Sequence, residues 1–491
     1  MSRAPAGAAI AAPPPRRLGL QSRLSFGIGS IAYGVKDNGF ATFLLLFYNQ
    51  VVGLPANTVG IAIMCALVVE AFVDPAMGFL SDHTRSRWGR RHPWMYASAI
   101  PVAVGWLLLW NPPQWSETAT LVYVFGSALM VRIALSAFEI PSSALGPELS
   151  SDYDERTRLF SYRYLFGWGG GLAMLSLAYA VFLVPDATHP VGLQNPDGYS
   201  RMALWAAGVM AVSIILSSLG LHHEIAHLPK VEKSTESFGA HFAQFRTTVS
   251  NRGFLILMAA GVFAYTAQGI SFALSNYMYS FVWQFHGTDY QWLSAALLAG
   301  AVGAFYLAPR LTRGGNKPRV GMILSFVSAA LLVSPYALRL AGLFPEPGSA
   351  TMLPLLLAIF AANTACSVGA FILGAAMLAD VVEESETRTG QRSEGVFFAG
   401  GFFVQKMVGG LGIFMAGTIL AFAAFPAAAK PGLVPVATID RLTIVFICLE
   451  LLFYGLAGLC YARFPFGRAE HEARLADAAA AAEREGMPHA P

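Results

Sequence analysis

The sequence predicts an all-α integral membrane protein, and three observations carry that prediction. Hydrophobic residues make up 55% of the 491 and charged residues only 12%, about half the share usual in a soluble domain. The apolar residues gather into twelve stretches, each near the ~20 residues that a helix needs to cross hydrocarbon. The basic residues keep to the loops between stretches, and they do so in alternate loops.

In chain order the expected spans are 26–50, 56–81, 94–112, 119–145, 162–184, 201–222, 253–283, 288–309, 318–342, 351–380, 394–425 and 437–463. The loop after the second span holds Arg85, Arg87, Arg90 and Arg91. The segment after the sixth holds Lys230, Lys233, Arg246 and Arg252, and the loop after the eighth holds Arg310, Arg313 and Lys317. Loops after odd-numbered spans carry few basic residues. Because cytoplasmic loops retain the Lys/Arg excess, both termini are expected in the cytoplasm.

The polar segment 223–252 is the longest between spans and divides them six and six. The expected organisation is a disordered cytoplasmic leader (1–24), a six-helix bundle (25–222), a cytoplasmic linker (223–252), a second six-helix bundle (253–463) and a cytoplasmic tail (464–491). A weak echo between the loops at 84–93 and 312–318 suggests duplication. Two parallel halves around a central cavity are the plan of major facilitator transporters.

The same numbers exclude other classes. Basic residues confined to loops give no phosphate-binding stripe, so no nucleic-acid partner is expected. Cys65, Cys366, Cys448 and Cys460 lie in apolar runs without a CxxC pair, against a disulfide framework or zinc site. Nine of the ten histidines fall outside the expected spans and the tenth, His222, is the last residue of one, against a haem protein or an intramembrane zinc protease. The leader contains PPPRR but no apolar core of signal-peptide length.

Ionisable groups at membrane depth are costly, so they mark function or pairing. Glu70 and Asp74 stand four residues apart, on one helix face. Two such acids should line a polar cavity and attract a cation. Arg132 lies mid-span, seven residues before Glu139. It fits either an ion pair with Glu70, Asp74 or Glu139, or a binding group for an anionic solute such as a uronate. Glu450 is also mid-span and receives no role beyond helix packing or a protonated carboxyl. Asp82 with Arg85 and Arg90, and Asp380 with Arg388 and Arg392, sit at cytoplasmic helix ends and suit state-dependent gating pairs. Gly167, Gly169, Gly170 and Gly171 permit close helix approach. Gln268, Asn276 and Gln405 are expected to line the cavity.

Six segments, YGVKDNG (33–39), FYNQVVGL (47–54), VEAFVDPAMG (69–78), TRSRWGRRHPW (84–94), EIPSSALGPELSSDYDERTRL (139–159) and ADVVEESETRTGQRSEG (379–395), together resemble the glycoside–pentoside–hexuronide:cation symporters, the family of the melibiose permease. The resemblance implies the major facilitator fold and cation-coupled uptake. It also implies a cation site of Glu70, Asp74, Glu139 and Ser136. The implied substrate site comprises Lys36, Asp37, Glu139, Arg163 and Lys406, with Ser143 and Phe371 standing where the melibiose permease has an aromatic residue and a tryptophan. Arg132, where that permease has a small residue, joins the substrate group. Glu70 replaces an aspartate, Val73 an asparagine and Leu67 a basic residue. Losing the amide oxygen hurts a sodium site more than a proton site, because sodium needs several oxygens and a proton needs one.

The expected function is secondary active transport: symport of a sugar-like solute, a glycoside, pentoside or hexuronide, with H+ or Na+ by alternating access. A transporter of an amphiphile or lysolipid on the same fold is the alternative, and a membrane-embedded enzyme a remote one. No catalytic residue, no cofactor and no metal beyond Na+ at the cation site are expected. The expected partners are a small-molecule substrate and membrane lipid, around a monomer in the cell (inner) membrane.

Overall fold

The computed structural model describes residues 18–150, 153–228, 251–312, 316–389 and 394–465. Within them the chain is helical almost throughout, as hydrocarbon requires: only a helix satisfies its own backbone N–H and C=O groups within one segment. The first expected span is broken into α1 (Leu20–Ile28) and α2 (Ser30–Asn38), then continues through wide π turns at Gly39–Leu44 and Phe47–Val51. The rest of the first half comprises α3 (Ala56–His83), α4 (His92–Leu109), α5 (Glu117–Leu149), α6 (Tyr153–Leu177) and α7 (Pro196–Gly220). The second half comprises α8 (Arg252–Tyr277), α9 (Gly287–Thr312), α10 (Lys317–Leu340), α11 (Met352–Thr389), α12 (Glu394–Phe422) and α13 (Val436–Ala462).

Local chemistry sets several helix starts. Asn195 accepts from the backbone N–H groups of Asp197 and Gly198, with Pro196 in the first turn. Asn251 caps α8 by accepting from the N–H of Phe254 at 3.0 Å. Several helices outrun their apolar stretch. The expected span 351–380 becomes Met352–Thr389 because the acidic run after Asp380 stays helical beyond the hydrocarbon. Among the described residues nine helical segments are long and apolar enough to cross a membrane. The other expected spans, 26–50, 94–112 and 288–309, fall on α1 and α2, α4, and α9.

Small residues let the helices meet. A Cβ on Gly34 of α2 would lie 1.9 Å from the carbonyl oxygen of Gly167 on α6, within the expected glycine cluster. Gly269 of α8 meets Gly412 of α12, and Gly417 of α12 meets Ala56 of α3. Dispersion at such close approach drives association where lipid tails leave little hydrophobic gain.

The halves are joined at one end. The larger apolar core runs through both, while a separate cluster around Phe254, Met377, Val381 and Phe397 belongs to the second half alone. At the end away from the basic loops, Gln50 donates to Pro426 O (3.1 Å) and accepts from Ala429 N–H (2.8 Å). Gln194 donates to Ala429 O. Tyr277 donates to Asn49 Oδ1 (2.8 Å). Asn276, expected in the cavity, is fully buried in this seal: it donates to Thr42 O (3.1 Å) and accepts from Tyr179 (2.8 Å).

Candidate functional site

A charge cluster lies at mid-depth where α3, α5, α2 and α12 converge. Helices α3 and α5 pack side by side, so equal steps along each keep their side chains level. Glu70 meets Arg132, and one turn later Asp74 meets Ser136, whose hydroxyl donates to Asp74 Oδ1 at 2.5 Å. Lys36 of α2 stands 3.8 Å from Glu70 Oε1. Lys406 crosses from α12 in the second half, donating to Asp74 Oδ2 at 2.5 Å with Glu70 Oε1 at 3.4 Å.

The cluster has an enclosed side and a more open one. The side chains of Glu70, Arg132 and Lys36 are at most 4% exposed, whereas Asp74 and Lys406 keep 15% and 19%. The Arg132 guanidinium lies under the Phe40 ring, 4.4 Å from its centroid. A cation on an aromatic face is held electrostatically as well as sterically. In this arrangement Arg132 meets Glu70, one of the carboxylates the sequence offered as its partner, and little of it faces open space. Lys406 likewise meets the two acids.

Asp37, next to Lys36, is exposed and pairs with no described side chain. Glu139 is half-buried, and no described side chain bonds its carboxylate. Its backbone carbonyl accepts from Ser143 Oγ (2.7 Å) and from Arg163 Nη2 (3.3 Å), while Arg163 Nη1 donates to Ser142 at 2.6 Å. Asp37 and Glu139 thus retain free acceptor oxygens, which hydroxyl donors satisfy. Phe371 stands apart, stacked on Tyr265 with centroids 5.3 Å apart. Glu450 is fully buried and accepts from Ser271 at 2.7 Å.

At the basic-loop end, Arg91 pairs with Asp82 (2.5 Å) and Glu148 (3.0 Å), and Arg90 with Glu148 (2.7 Å). Arg90 reaches Asp82 only at 4.0 Å. Arg85, expected among these pairs, has none among the described residues; Arg91, held by Ser81 as well, takes that place. Asp380 pairs with Lys317 at 2.7 Å. The side chain of Arg388, and Arg392 altogether, lie outside the described residues. Glu148 escaped the sequence reading although it sits in the PEL just past the fourth expected span, because nothing local says which basic residue it faces. The seal residues Asn49, Gln50, Tyr179 and Gln194 escaped for the same reason.

Comparison with known proteins agrees with this architecture. The profile of the family described as MFS/sugar transport protein matches residues 25–468. The uncharacterized symporter sll1374 of Synechocystis sp. is 28% identical, over 93% of this chain and 96% of that protein. The inner membrane symporter YicJ of Escherichia coli is 24% identical, over 91% and 92%. A partially occluded inward-open structure of the xylose transporter XylE from E. coli superposes with a TM-score of 0.58 at 15% identity, covering 91% of this chain and 99% of that one. The chain therefore belongs to the MFS/sugar transport protein family and is a multi-pass membrane transporter of the major facilitator fold.

Proposed function

We propose that this chain is a proton-coupled symporter of a neutral sugar-like solute, a glycoside or pentoside, working by alternating access between bundles 25–222 and 253–463. The family description and the symporter names of its relatives support coupled transport of such a solute. The observation that carries the reading is the Lys406 bridge. It ties α12 of one half to Asp74 and Glu70 on α3 of the other, at mid-depth, with the seal on one side of it.

A cation arriving at Asp74 competes with Lys406 for the same oxygens. Neutralising Asp74 releases the tether between halves, so occupancy of the site is linked to their relative motion. A proton suits this site better than sodium. Ser136 supplies one neutral oxygen, and Val73 supplies none where an amide would. The solute is uncharged in this reading because Lys36, Arg132 and Lys406 face carboxylates and Arg163 is bonded to Ser142 and the Glu139 carbonyl, whereas Asp37 and Glu139 offer acceptors to hydroxyl groups. In this reading the sealed end is the outer one.

Counterflow and uptake in proteoliposomes, with radiolabelled glycosides, pentoses, uronates and lysolipids, test the proposal. A neutral sugar should accumulate under an inward proton gradient, collapse with a protonophore, and ignore exchange of sodium for potassium. A sodium-dependent rise in substrate affinity at fixed pH would overturn proton coupling. Selective transport of uronates or lysolipids would overturn the substrate class.

A further inference from the structure

We propose that Arg132 is a tethered substitute for a mobile cation at Glu70, and that it excludes sodium from this transporter. The inference rests on the reading of Glu70 and Asp74 as the coupling site. Two level rungs join α3 to α5, Glu70–Arg132 and Asp74–Ser136, separated by one helical turn. In a site built for a small metal ion, both acids would turn their oxygens to the ion. Here a guanidinium fills the first rung, and the second is held by the Lys406 bridge from the other half.

The charged groups facing Glu70 from the neighbouring elements are Lys36 on α2, Arg132 on α5 and Lys406 on α12, with the Tyr33 ring beside Lys36. The lysines stand at 3.8 and 3.4 Å, and the shorter bond of Lys406 goes to Asp74. Arg132 therefore supplies the close neutralising charge. It is 2% exposed and capped by Phe40, so it has little freedom to swing away. A tethered charge also acts at a high effective concentration, in the millimolar range or above, against any free ion. Sodium would meet like charge at Glu70 and would have to displace Lys406 to reach Asp74 and the Ser136 hydroxyl.

Replacing Arg132 with a neutral side chain should reopen the first rung. Glu70 would regain Oε2, the oxygen that Arg132 holds, while Lys36 and Lys406 stay near Oε1, and a glutamine would add a neutral amide oxygen. The resulting set has two carboxylates, a hydroxyl and an amide, which together suit a small monovalent cation.

The test is equilibrium binding of radioactive sodium to the purified full chain, without substrate. Wild type should show no saturable sodium binding. Arg132→Gln should gain it, at least about tenfold tighter than any wild-type signal, and Arg132→Gln/Glu70→Gln should lose it again. Arg132→Lys, which keeps a tethered charge, should stay sodium-free. If Arg132→Gln does not yield monodisperse protein, Arg132→Met, close in length, is measured instead. Saturable sodium binding by wild type overturns the proposal. So does a neutral variant that gains none, or a gain that survives Glu70→Gln. Because no sugar enters the assay, failure of the sugar-symport reading shows up separately, in the uptake experiment.

Discussion

Asp74 differs from Glu70 by one helical turn and by its surroundings. Its side chain keeps 15% exposure and holds a lysine from the opposite half, whereas Glu70 is enclosed at 2%. Asp74→Asn should therefore abolish accumulation against a gradient while sparing exchange, since an amide binds neither a proton nor Lys406 in the same way. Uptake driven by a proton gradient, set beside counterflow in the same vesicles, checks this; normal accumulation by the variant would remove Asp74 from the coupling site. In the proposed function Asp37 binds the solute. A hydrogen bond to a charged group contributes about 1.5–3 kcal/mol, so Asp37→Ala should weaken substrate binding roughly ten- to a hundredfold in a counterflow titration. These two acids were legible in the sequence because carboxylates in apolar runs are rare. Their partners were not: Lys406 lies 332 residues from Asp74, and no local pattern records such a meeting.

At the scale of elements, the α2–α6 crossing depends on backbone contact. Any Cβ on Gly34 runs into Gly167 O, and main chain has little room to give. Gly34→Ala should destabilise the protein by about 1–3 kcal/mol, as overpacking does, seen as a lower thermal midpoint in detergent. Gly208 of α7 is the control, since a Cβ there meets nothing within 4 Å. Gly208→Ala should be neutral or slightly stabilising, by up to about 1 kcal/mol. Equal losses from both variants would show that the α2–α6 crossing is not what makes Gly34 necessary. The glycine run 167–171 announced close packing in the sequence, but not its partner. Nor did the sequence announce the π turns after Asn38. The apolar pattern of 26–50 is the same for an unbroken helix, and the wider turns follow from packing against neighbours.

At the scale of the whole molecule, the seal opposes the alternate state. Gln50 makes two hydrogen bonds to the 426–429 hairpin, worth about 1–3 kcal/mol together. Removing them with Gln50→Ala should shift the balance toward opening of that end by roughly tenfold. Spin labels at Ala187→Cys and Lys430→Cys, in a background without the four native cysteines, should then show a longer distance component that Gln50 suppresses. An unchanged distribution would mean the seal is held elsewhere. Orientation follows from the basic loops: a cysteine at Ala187 should label from outside the cell, and one at Arg87 only from inside. Outside labelling of both would overturn the topology.

The sequence by itself determined the fold class and the approximate place of most spans. Hydrocarbon makes every segment satisfy its own backbone, so length, apolarity and charged breaks are local properties written along the chain. It also named the acids at depth, because their cost there is local too. Tertiary structure alone decided what each charge faces. Arg132 could have served a solute or a carboxylate, and packing of α3 against α5 put it on Glu70. Asn276 could have lined the cavity, and the meeting of the two halves put it in the seal. Coulomb and hydrogen-bond energies fall off within a few ångströms, so partnership depends on which helices touch, and that contact is settled only when the whole bundle packs.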